Sequence, residues 1–176
     1  MVIMTSSLYA TILHAQDSWT SLPPLPVKWF GLGHIDGKPV AIGRANKNDD
    51  RQMTNKVHTL NSVHRWKQSM PSTPTPRSLP GVLSLSAVLI VAGGFTGTHD
   101  ICTVEVFNAP TSQWSTCEPL PVLCRELSLI SINSIMVYAL GGYKHPSRLN
   151  QALCAPVEDL LHSAMPSPLP SKPTTA

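Results

Sequence analysis

The residues able to do chemistry are few and scattered. The four cysteines, Cys102, Cys117, Cys124 and Cys154, form no Cys-x-x-Cys pair, and the seven-residue step from Cys117 to Cys124 has no clustered histidine beside it. A zinc site needs such clustering. The cysteines are therefore expected to be buried or half-buried free thiols. A reducing compartment suits them, which points to the cytoplasm. No two of the seven histidines stand at the i, i+4 spacing of a helical metal site. His58 and His64 are expected to be solvated surface groups. Glu105 and Glu126 read as satisfied surface acids rather than a general acid and base, and Glu158-Asp159 as a solvated turn. The nucleophile elbow, phosphate loop, zinc-protease helix and dinucleotide patterns are all missing. No catalytic, cofactor or metal residue is assigned, and the chain is expected not to be an enzyme.

The elements that carry these side chains follow a repeat. Trp19, Trp66 and Trp114 recur at intervals of 47 and 48 residues, and Gly93-Gly94 and Gly141-Gly142 lie 48 apart. A degenerate copy, Gly43-Arg44, stands 50 residues before Gly93-Gly94. Two independent markers with one period imply a repeat architecture, and a period near 50 fits a β-propeller. The clearest unit alternates apolar and small residues over 81–86, as a half-buried strand does. It continues as a fully apolar strand over 87–92 and ends at Gly93-Gly94. A polar loop over 95–101 leads to an alternating strand over 102–107. A turn over 108–112 and a short outer strand over 113–117 complete it. Four antiparallel strands make one propeller blade.

Val91-Ala-Gly-Gly94, an aromatic at Phe107 and Trp114 seven residues later resemble the kelch repeat. So does the Pro-rich lead-in over 70–77 that ends in Arg77. Tyr138-Ala-Leu-Gly-Gly142, with its lead-in Glu118-Pro-Leu-Pro121, extends the resemblance forward, and Leu22 to Pro26, 38–43 and Trp66 extend it backward. The fold this implies is all-β: a kelch-type β-propeller, present as an incomplete arc of about three and a half four-stranded antiparallel blades. Residues 1–20 would be the last strands of a preceding blade, at 7–13 and 17–20. Residues 21–163 would hold three repeats, about 21–69, 70–117 and 118–163. Residues 164–176 read as a disordered Pro-rich tail. Leu60 takes the aromatic position of the first repeat. In the last, Leu153 takes it and Leu160 stands where Trp belongs, so packing between those blades is expected to be looser.

The resemblance implies a non-catalytic protein–protein interaction module, within a substrate-recruiting adaptor or a scaffold, with a ubiquitin-ligase or cytoskeletal link. Partner contacts would come from loops before the innermost strand (Lys28, Trp29, Arg77, Arg125, Glu126) and between the second and third strands (46–56, 95–100, 143–148). Trp29, Arg77, Arg125, Tyr143 and Arg148 are the expected anchors, since Arg and aromatic residues dominate interface energetics. One alternative is a kelch-like enzyme with a channel active site. The innermost strands, 81–86 and 127–132, do not supply the converging Cys, Tyr, His or acidic residues it would need. Another is a truncated, non-functional piece of a longer multidomain protein, and two such arcs pairing into one ring is a third.

Composition narrows the partner. Only 13% of residues are Asp, Glu, Lys or Arg, the net charge is +3, and no basic run has the density of a nucleic-acid footprint. Nucleic acid is therefore excluded as the expected partner. No apolar stretch reaches the eighteen residues of a membrane helix. Met1–Ala15 lacks the basic start and unbroken apolar core of a signal peptide.

Overall fold

The computed structural model describes residues 21–44 and 53–164. The strands expected at 7–13 and 17–20, part of the 46–56 loop and the tail from 165 lie outside the described residues. The first sheet has the order β1 (Lys28–Ile35), β2 (Lys38–Arg44), β3 (Val57–Leu60), β4 (Trp66–Gln68). The second is β5 (Gly81–Leu85), β6 (Val88–Phe95), β7 (Asp100–Asn108), β8 (Gln113–Cys117). All neighbours within both sheets are antiparallel. The third holds β9 (Ser128–Ile132), β10 (Met136–Leu140) and β13 (Ala152–Pro156). A two-stranded ribbon, β11 (Tyr143–Lys144) and β12 (Ser147–Arg148), projects beyond β10.

The sheets stack as blades through their innermost strands, β5 packing between β1 and β9. Close approach is a sequence property here: a Cβ on Gly31 would sit 2.3 Å from Val82 Cγ2. Leu89, Ile90 and Val91 of β6 alternate between two cores and are buried on both faces. Leu89 and Val91 join Val40, Ile42 and Val57 in the core shared with the first blade. Ile90 joins Val104, Val137 and Ala139 in the core shared with the third.

The third blade has no fourth strand among the described residues. A helix, α1 (Val157–Ala164), takes the place where an outer strand and a solvated turn at Glu158-Asp159 were expected. Pro156 has no N–H to give a continuing ladder, and Glu158 and Asp159 in the first turn favour the positive end of a helix. Val157 and Leu160 then turn one apolar face into the core, and the Leu160 carbonyl accepts from Cys117 Sγ at 3.1 Å.

The ladder also moves the aromatic position of the last repeat. Phe107 pairs with Leu89 of β6, whereas Val137, the counterpart of Leu89, pairs with Ala155. The residue in the ring position is therefore Ala155, not Leu153. A two-residue slip leaves the same face inward, so the apolar pattern alone does not expose it.

Three other expectations change. Cys154 is exposed, unlike half-buried Cys102 and buried Cys117 and Cys124. Glu105 is buried rather than on the surface, paired with Arg77. His58 is buried on β3 instead of solvated, and burial, then the charge of Lys56, hold its imidazole below the usual 6.5. The unfolded chain therefore takes up this proton first as pH falls. Its contribution to stability is full above about 6.5 and is lost on acidification until the folded imidazole also titrates. Urea unfolding of His58→Gln should show a flatter dependence on pH just below 6.5 than the parent. Identical slopes would contradict the assignment.

Candidate rim site

The loops gather at the end of the blades where the lead-in segments enter β1, β5 and β9. Trp29, Leu79 and Glu126 occupy the same place in successive repeats, each with a left-handed backbone, φ 52°, 54° and 58°. Their peptides join the blades: Leu79 N–H donates to Trp29 O at 2.7 Å, and Glu126 N–H donates to Leu79 O at 2.9 Å. This fixes the level of the rim across three blades.

Two isolated bridges, Ser78 with Phe95 and Arg125 with Tyr143, repeat the same geometry one blade apart. Each places the residue after Gly-Gly beside a lead-in. Phe95 and Tyr143 thereby flank Arg125, whose guanidinium carbon lies 4.6 Å and 4.7 Å from the two ring centroids. Arg125 Nη1 donates to Asp100 Oδ1 at 2.8 Å, and Asp100 Oδ2 accepts from the His145 backbone N–H at 3.2 Å. Two aromatic faces and a carboxylate hold this cation, worth about 1–2 kcal/mol for each partly desolvated ring contact.

Around it lies a cavity of about 450 Å³ bordered by Phe95, His99, Asp100, Arg125, Lys144 and His145, among others. Arg148, its side chain 75% exposed, is bonded to Glu126 Oε2 at 2.8 Å and lies 5.5 Å from the Tyr143 centroid. The sequence-derived anchors thus divide. Arg125, Tyr143 and Arg148 come together. Trp29 is 57% exposed at the same level, two blades away. Arg77 is not on the rim at all. It is fully buried, because Glu105 and the carbonyls of Gly93 and Thr103 give it partners inside the blade. It is corrected from partner contact to internal clamp. The aromatic sandwich of Arg125 was not anticipated, although Phe95 and Tyr143, each directly after Gly-Gly, were its visible signal.

Among the described residues no group of three or more His, Cys, Asp and Glu is placed to hold a metal ion. No helix there is long and apolar enough to cross a membrane. Four-stranded antiparallel blades stacked on their inner strands, with a built rim of loops, define part of a β-propeller. Its repeats are kelch repeats. Residues 76–121 match the Kelch motif family, and the chain is 33% identical over 129 residues to Kelch-like protein 40 of Mus musculus. That alignment takes in 71% of the chain but 20% of the relative, so the chain spans about a fifth of its length. The chain belongs to the kelch-repeat family.

Proposed function

We propose that the chain is a non-catalytic protein-interaction module whose rim grips an acidic segment of a partner. It would serve a substrate-recruiting adaptor or scaffold in a reducing, cytoplasmic setting. The observation that carries this reading is the preformed cavity beside Arg125. Its Arg125 is held by Phe95, Tyr143 and Asp100, so little side-chain freedom remains to be lost there on binding. Lys144, His99 and His145 border it, and Arg148 stands exposed over the Tyr143 ring. Arg presents a planar fork suited to carboxylates, and the rings of the rim supply apolar area beside it.

A peptide array of acidic and basic sequences tests this. The full chain should retain acidic peptides, less strongly as salt rises. The pair Lys144→Glu and Arg148→Glu should lower retention by about tenfold or more. Lys38→Glu, in the hairpin at the opposite end of the first blade, should leave it unchanged. Loss of retention with Lys38→Glu but not with the rim pair would place the binding surface elsewhere.

A further inference from the structure

A second cavity, of about 240 Å³, lies between the second and third blades and is closed on one side by α1. Its origin is in the sequence. Between the first two blades the equivalent space is filled by Phe107 and Trp114, with ring centroids 5.2 Å apart, and Trp114 Nε1 donates to Pro71 O at 2.9 Å. Between the second and third blades the ring position holds Ala155, and α1 replaces the strand that would carry the Trp. Leu153 and Leu160 reach the space but do not fill it. Two aromatic side chains are missing from one interface of a repeat that keeps them at the other.

Ile90, Val104, Leu129, Val137 and Ala155 contribute apolar walls. An apolar cavity of about 150 Å³ admits a benzene ring and stays free of water otherwise, so this one has room for a fused two-ring system. The charged residues that line it, Glu118 and Asp159, are both carboxylates exposed to solvent, and Asp159 also has a partner within the chain. We infer that this cavity is a small-molecule site for an aromatic amine, with the ring system in the space left by Phe and Trp and the cation at the carboxylates. The site is separate from the rim and does not depend on the interaction reading.

The test uses the full chain and three probes that share one ring: tryptamine, neutral indole and anionic indole-3-propionate, each followed by calorimetry and methyl NMR. Tryptamine should bind one to one, at least about tenfold more tightly than indole-3-propionate, and should shift the methyl signals of Ala155, Val137 and Leu153. Glu118→Gln with Asp159→Asn should remove the preference for tryptamine and leave the affinity for indole. Ala155→Phe should abolish binding and raise the thermal midpoint, because the ring fills the void. If the phenylalanine is too large to fold, Ala155→Leu should still weaken binding. Absence of tryptamine binding to the parent, methyl shifts away from these residues, or unchanged affinity in a folded Ala155→Phe would each overturn the assignment.

Discussion

Replacing Arg77 with methionine is expected to lower the free energy of unfolding by about 3–5 kcal/mol, the cost of breaking a buried ion pair from one side. Arg77 has no exposed surface and Glu105 is 1% exposed. The guanidinium bonds Glu105 Oε1 at 2.9 Å, Gly93 O at 2.8 Å, and Thr103 O and Oγ1 at 3.1 Å and 3.0 Å. Burial pulls the guanidinium below its ordinary value and Glu105 offsets this, but an arginine starts so high that it keeps its proton. Methionine would leave the Glu105 carboxylate in the core without its cation and two carbonyls without their donor.

The chain contains its own control for this experiment. The equivalents of Arg77 and Glu105 are Cys124 and Leu153 in the third blade and Val27 and His58 in the first: Val27, Arg77 and Cys124 each stand two residues before the left-handed Trp29, Leu79 and Glu126, and the strand pairings align His58, Glu105 and Leu153. The positions change together, and where one charge is missing the other is missing too. Arg77→Cys combined with Glu105→Leu should therefore recover most of the stability lost by Arg77→Met. A well-packed apolar pair can match a buried ion pair of similar volume. Urea unfolding of Arg77→Cys, Glu105→Leu and the double variant yields the coupling directly. A single variant no more harmful than the double one would mean that the pair is not the clamp its geometry describes.

Blade order was legible because Gly-Gly and Trp are backbone and packing requirements, and each blade keeps at least one of them: Trp66 in the first, both in the second and Gly141-Gly142 in the third. The buried Arg77 was not. Its partner Glu105 lies two strands further on, and a lead-in arginine has the same appearance whether its loop is open or sealed. The missing ring at Ala155 was hidden by a different cause. Leu153 and Ala155 face the same way, so the inward pattern is satisfied by either, and only the pairing with Val137 separates them. The helix was masked by expectation from the preceding repeats, although Pro156 followed by Val-Glu-Asp-Leu-Leu carries the signals of a helix start. The rim was legible as loops, and the sandwich around Arg125 needed the bridge that sets Tyr143 beside it.

Gly93→Ala is expected to cost about 3–5 kcal/mol, whereas Gly141→Ala, one repeat later, should cost only about 1–2 kcal/mol. Both glycines have a left-handed backbone, φ 62° and 65°, so alanine pays the same conformational penalty at each. They differ in what lies above them. A Cβ on Gly93 would meet the carbonyl oxygen of Cys124 at 2.4 Å and Leu127 Cδ2 at 3.0 Å. That carbonyl already accepts the Gly94 N–H at 2.8 Å, so it cannot retreat without loosening the junction between the second and third blades. Arg77 holds the Gly93 carbonyl from the other side and limits movement there as well. On Gly141 the nearest atom to a Cβ would be Leu149 O at 3.6 Å, an ordinary contact. The difference between the two variants thus measures the coverage of a Gly-Gly by the following lead-in, apart from backbone strain. Denaturant midpoints of both give it directly. If Gly141→Ala proves as costly as Gly93→Ala, then the face beyond the third blade is covered in solution, as it would be by a further blade or by the first blade of a second copy.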